Sequence, residues 1–116
     1  MIVVEDDASV LRALRRLISS MNFQVQTFDR PSALKPTNLP QDNACLMFDI
    51  HLPEMNGVEL YKTLAEAGCR LPVILITGRL DEGTKAIASQ IQPIALLFKP
   101  FGREELSDAL NLAFHT

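Results

Sequence analysis

The sequence predicts a single α/β domain, a parallel β-sheet with helices packed on both faces. Four apolar runs, residues 2–4, 45–48, 73–76 and 96–98, each stop at a polar side chain. They are short and continuous rather than alternating, as strands buried on both faces of a parallel sheet are. The segments between them carry apolar residues at helical spacing, so strand and helix alternate five times along the chain. Length sets the scale: 116 residues, 47% of them hydrophobic, suffice for one core and are too few for two.

The first strand runs into Glu5 and Asp6. Val10, Leu14, Leu17, Ile18 and Met21 then share one helical face, with Arg12, Arg15, Arg16 and Ser19 opposite. Residues 23–28 alternate at period two at their start, which places a half-exposed strand at a sheet edge. Asp29 is placed to cap a short helix with Pro31 in its first turn, and Pro36 ends that helix early. Residues 37–43 then read as loop, and the third strand ends at Asp49. Pro53 and Gly57 punctuate a turn; a helix follows over about 58–67 and Gly68 stops it. Pro72 opens the fourth strand, which ends at Thr77.

A helix over about 82–91 has the weakest pattern, with Gly83 and a sparse stripe of Ile87 and Ile91. The fifth strand ends at Lys99. The last helix has the clearest stripe, Leu106, Ala109, Leu110, Ala113 and Phe114. No repeat, low-complexity segment or linker interrupts the chain, so residues 1–116 read as one domain. Crossovers between such strands are right-handed, which leaves few topologies.

Several function classes fall away on composition. No apolar stretch approaches the roughly 20 residues needed to span a bilayer, and Glu5, Asp6 and Asp7 break any amino-terminal signal pattern. A net charge of −3 argues against a basic nucleic-acid surface. Cys45 and Cys69 have no metal-ligand spacing, and Cys45 reads as a small core residue. The chain is expected to be a reduced, cytoplasmic one. No GxxxxGK[ST], GxSxG or HExxH pattern is present, and His51 and His115 are the only histidines.

What remains is the carboxyl end of the sheet, where open parallel sheets bind ligands. If the strands are parallel, Glu5, Asp6, Asp49, Thr77 and Lys99 converge there. At about 4 Å and an effective dielectric near 20, each carboxylate pair repels by on the order of 4 kcal/mol. Lys99 offsets only part of this. A hard divalent cation would neutralise the rest, and Mg²⁺ suits an all-oxygen site. Asp49 is the candidate nucleophile toward phosphorus, provided the phosphoryl charge is neutralised and the group held in line. Lys99 could take one phosphoryl oxygen and Thr77 donate to another, with Gly78 leaving the approach open. Any one of these residues alone reads as an ordinary surface or strand residue; the coincidence at four strand ends makes the case. His51, at the mouth, either influences water access or is an incidental loop histidine.

Taken together these residues resemble the receiver domain of bacterial two-component response regulators. The likeness covers essentially the whole chain. It rests on Val4-Glu5-Asp6-Asp7, Asp49-Ile50-His51-Leu52-Pro53-Glu54-Met55-Asn56-Gly57, Ile76-Thr77-Gly78 and Lys99-Pro100-Phe101. The resemblance implies a doubly wound, flavodoxin-like five-stranded parallel sheet in the order 2-1-3-4-5. It implies Asp49 as phosphoacceptor, with Glu5 and Asp6 as the acidic pair. Asp6, Asp49 and the backbone carbonyl of His51 would hold Mg²⁺. Thr77 would be the switch hydroxyl and Lys99 the phosphate-sensing lysine, preceding a cis Lys99-Pro100 bond that aims it into the site.

The resemblance further implies a sensor histidine kinase or histidine phosphotransfer protein as donor, and an output domain or target protein downstream. It implies no direct nucleic-acid or membrane binding by this domain. Such a domain is not an enzyme on other substrates; it catalyses only its own phosphoryl transfer and the hydrolysis of its aspartyl phosphate. His51 and Arg79 would tune that hydrolysis. Phosphorylation would shift populations on the face made by the helix over 82–91, the fifth strand and the last helix.

Three departures stand out. Leu96 occupies the family's aromatic switch position, Gln92-Pro93 replaces a Gly-Ala pair before the fifth strand, and Pro36 cuts the second helix. Residues 94–98 would leave an apolar sheet edge without charge, so a partner or a second copy, in a phosphorylation-dependent homodimer, is expected to cover this face and the last helix. The alternatives are a degenerate receiver that binds proteins without phosphorylation, and a Mg²⁺-dependent phosphohydrolase. The second lacks an acid two residues past Asp49, where His51 stands. A first strand starting almost at Met1 slightly favours an excised domain over a stand-alone one.

Overall fold

The computed structural model describes residues 1–114; His115, one of the two histidines noted above, lies outside them. Strands β1 (Ile2–Val4), β2 (Gln26–Phe28), β3 (Leu46–Asp49), β4 (Val73–Thr77) and β5 (Ala95–Phe98) form one sheet in the order β2-β1-β3-β4-β5. All four pairings are parallel, with Val4 opposite Phe48, Asp49 opposite Ile76, and Thr77 opposite Phe98. That register brings the strand ends level with one another and stacks the polar residues that follow them at one rim.

Alternation along each strand splits the core in two. Val3, Met47, Ile74 and Ile76 point to the face covered by α1 (Ala8–Ser20) and α4 (Arg103–Phe114), against Leu14, Ile18, Leu106 and Leu110. Ile2, Val4, Leu46, Phe48 and Leu75 point to the other, against Val58, Leu60 and Leu64 of α2 (Gly57–Glu66) and Ala88 of α3 (Glu82–Ala88). Cys45 is fully buried, and burial pushes its thiol up to about 12, so it packs as a small apolar residue. No helix among the described residues is long and apolar enough to cross a membrane.

The helix termini follow from local chemistry. Asp7 Oδ1 accepts from the amides of Ser9 (2.9 Å) and Val10 (3.2 Å), capping α1. Asn56 and Glu59 form a reciprocal capping box at the start of α2. Gly68, at φ 100°, closes α2 in the left-handed conformation that suits a residue without Cβ.

Four expectations need correction. The short helix after β2 is absent: two single 3₁₀ turns, Pro31–Ala33 and Pro36–Asn38, take its place. Pro36 has no amide proton and disfavours helical geometry at Lys35, so no continuous helix forms. Asp29 does not cap the first turn. Its carboxylate pairs with Arg30 (3.1 Å), and the Ser32 amide and hydroxyl donate to Glu54 instead, both at 2.9 Å. The helix expected over 82–91 stops at Ala88, because Pro93 holds Gln92 out of helical geometry and the intervening residues turn toward β5. The edge strand expected over 23–28 pairs only over Gln26–Phe28.

Candidate functional site

Each polar residue at the rim is delivered by the end of a strand. The Glu5 amide donates to Phe28 O (3.1 Å), continuing the β1–β2 ladder by one residue, and Asp6 follows it out of the sheet. Asp49 and Thr77 are the last residues of β3 and β4. Lys99 follows β5, its amide donating to Thr77 O at 2.7 Å, and the Lys99-Pro100 bond is cis.

The side chains converge on the Lys99 ammonium. It donates to Glu5 Oε1 at 2.7 Å and to Asp49 Oδ2 at 2.9 Å. The second Asp49 oxygen accepts from the His51 amide at 2.9 Å. Glu5 is fully buried and Asp49 is 4% exposed, whereas Asp6 stands at the open side. Burial pushes the Glu5 carboxyl up to about 7; the neighbouring Asp49 adds to this and Lys99 pulls against it. For Lys99, burial works against the ammonium, but hydrogen bonds to the two carboxylates outweigh it and raise its pKa.

One oxygen from each of Glu5, Asp6 and Asp49 lies within 4.8 Å of the others. Opposite oxygens around Mg²⁺ stand about 4.2 Å apart, twice a bond of about 2.1 Å, so small side-chain adjustments would bring these within reach. The donor set is all oxygen and hard, and Asp6 at the open side leaves room for water. These residues fit Mg²⁺. This is the one cluster of three or more potential metal ligands among the described residues.

Three sequence-predicted residues stand apart from this cluster. The Thr77 hydroxyl is fully buried; it donates to Arg79 O (3.1 Å) and accepts from the Arg79 amide (3.0 Å), so it is turned onto its own loop. Leu96 lies opposite Leu75 in the ladder and is 37% exposed, beside Phe98 at 43%. Gly78 is open, yet a Cβ there would meet nothing within 4 Å, so the open approach does not depend on its being glycine.

Two features were missed in the sequence. Gly57 is required by crowding: a Cβ would collide with the Asp49 carbonyl oxygen and come within 3.2 Å of Phe48 Cβ. The Gly57 amide donates to Ile50 O at 3.0 Å, closing the loop after Asp49. Thr84, buried in the first turn of α3, lies 3.2 Å from His51 Nε2 through its hydroxyl. The Asp81-x-x-Thr84 spacing marks a helix start, but nothing local announces a long-range partner.

Comparison with known proteins agrees with this geometry. The response regulator receiver domain family matches residues 1–111. Nodulation protein W of Bradyrhizobium diazoefficiens is 33% identical over 111 residues, covering 96% of this chain and 49% of that protein. Response regulator protein TmoT of Ectopseudomonas mendocina is also 33% identical, covering 96% of this chain and 50% of its own length. The chain thus spans about half the length of these relatives. A receiver domain crystal structure from Clostridium thermocellum superposes with a TM-score of 0.86 at 21% identity, covering 98% of this chain and 92% of that one, and so shares the fold. On the match over residues 1–111, this chain belongs to the response regulator receiver domain family.

Proposed function

We propose that this domain is a phosphorylation-dependent switch in which Asp49 accepts a phosphoryl group from a phosphohistidine. The observation that carries the reading is the Lys99 ammonium bridging buried Glu5 and Asp49, with Asp6 at the open side. A sensor histidine kinase or histidine phosphotransfer protein is the donor. An Asp49 carboxylate oxygen attacks phosphorus, the P–N bond breaks, and the departing imidazole nitrogen keeps the electron pair. Asp6, Asp49 and the His51 carbonyl, together with Glu5, would hold Mg²⁺, which would supply positive charge to the phosphoryl oxygens.

The chain's own groups do the rest. Lys99 already sits 2.9 Å from Asp49 and follows the charge onto a phosphoryl oxygen. Thr77 gives up its bonds to the Arg79 backbone and donates to another. An apolar groove of about 380 Å³ between α1 and the loop after β5, lined by Leu14, Leu17 and Phe101 and also by Lys99, suits a donor helix. Hydrolysis of the aspartyl phosphate, tuned by His51 and Arg79, resets the switch. The domain turns over no other substrate. Its output, in a linked domain or a target protein, passes through α3, β5 and α4, and a cytoplasmic location goes with this reading. The exposed Leu96 and Phe98 on the β5 edge are where a second phosphorylated copy would pack.

Incubation with acetyl phosphate and Mg²⁺ followed by intact-mass measurement tests the reading. Wild type gains one phosphoryl group and Asp49→Asn gains none. The exposed Leu96 favours a second reading, a binding module that works unphosphorylated, and wild type without added mass would support it. Light scattering over a concentration series, with and without beryllofluoride, tests the dimer; a monomer in both conditions removes it.

A further inference from the structure

Helix α3 is held to the domain by little. Of its residues only Thr84 and Ala88 are buried. Thr84 is 2% exposed, and a hydroxyl that deep needs a partner. It lies 3.2 Å from His51 Nε2 across the fold and also against the Asp81 carboxylate, whose Oδ1 accepts from the Thr84 amide at 2.7 Å and fixes the helix start. At its other end His51 is tied to the site, its amide donating to Asp49 Oδ1 at 2.9 Å. One residue thus joins the Asp49 carboxylate to one of two buried side chains of α3.

From this geometry we infer that Thr84 is a positioning residue for His51, and that their hydrogen bond transmits the state of Asp49 to α3. The inference rests on Asp49 being the phosphoacceptor. A carboxylate oxygen is a strong acceptor for the His51 amide. Phosphorylation turns Asp49 into an acyl phosphate, moves its charge onto the phosphoryl group and weakens that bond. The loop at His51 then shifts, and the imidazole carries the Thr84 hydroxyl with it. Because α3 has no other polar anchor of this depth, the helix responds as a unit. The route is separate from Thr77, whose hydroxyl bonds only within its own loop.

Amide NMR spectra of wild type, Thr84→Val and Thr84→Ser, titrated with beryllofluoride and Mg²⁺, test this. Valine keeps shape and burial but removes the hydroxyl; serine keeps the hydroxyl. In wild type and Thr84→Ser, amides at 49–51 and 82–88 all shift on saturation. In Thr84→Val the site amides still shift, at a midpoint within about threefold of wild type, while the α3 shifts fall by about half or more. Full α3 shifts in Thr84→Val overturn the inference and leave the phosphoacceptor reading standing. No response at 49–51 in wild type overturns both. His51→Ala cuts the bond from its other end and must reproduce the loss at α3, which keeps the test open if the valine variant fails to fold; full α3 shifts there also overturn the inference.

Discussion

One face of the sheet is covered by two long helices and the other by short pieces. α1 and α4, of 13 and 12 residues, lie over Val3, Met47, Ile74 and Ile76 and leave none of those strand residues exposed. On the opposite face, α2 has 10 residues, α3 has 7, and two 3₁₀ turns stand where a further helix was expected. There β5 is left half uncovered, with Leu96 and Phe98 open to solvent. The difference teaches where movement is affordable. Local opening follows sparse apolar burial, so the α3–β5 side belongs to the low-stability end of the domain and the α1–α4 side to its rigid base.

Substitutions on the two faces should differ in size. Leu106→Ala, at a fully buried position on α4, is expected to destabilise by about 2–5 kcal/mol in urea unfolding. Ile87→Ala on half-buried α3 should cost roughly half as much or less; equal losses would break the contrast. Gly57→Ala should cost about 1–3 kcal/mol, because its methyl must push back the Asp49 carbonyl, and it should also weaken beryllofluoride binding.

A pH series comes next in size. The folded-state pKa of Glu5, about 7, lies above its ordinary 4.5, so the folded protein holds a proton that the unfolded chain releases. Stability from this group is present at low pH and falls as pH rises from about 4.5 to about 7, by at most about 1.4 kcal/mol per unit. Glu5→Gln should flatten that slope, and saturating Mg²⁺ should reduce it; a slope unchanged in the variant would refute the assignment. The smallest effect is expected on the open face. Phe98→Ala should change stability by under about 1 kcal/mol, since the ring is 43% exposed, and calorimetry suffices to check it.

How far the sequence could be read follows the same division. The central strands were legible as continuous apolar runs, α1, α2 and α4 as apolar stripes at helical spacing, and the rim residues because strand ends fix their place. The turns after β2 were not. Asp29 two residues before Pro31 has the pattern of a capped helix, and the partner that decides the matter, Glu54, lies 22 residues away from Ser32. α3 was overextended because Ile87 and Ile91 look like a stripe, although Ile91 packs against the core from outside the helix. At the site, the convergence of Glu5, Asp49 and Lys99 was readable. The inward turn of Thr77, the crowding at Gly57 and the reach of His51 to Thr84 are three-dimensional facts with no local signature.

Glu54 holds a left-handed backbone, φ 69°, and grips Ser32 with both carboxylate oxygens. Glycine would relax that backbone yet release the grip, so replacing it trades local ease for a lost staple. The staple joins the loop after Asp49 to the irregular stretch over 31–43, the segments that leave the ends of β3 and β2. A protease that nicks residues 37–43 would therefore serve as a remote gauge of the loop, its cutting rate changing when ligand reshapes the rim.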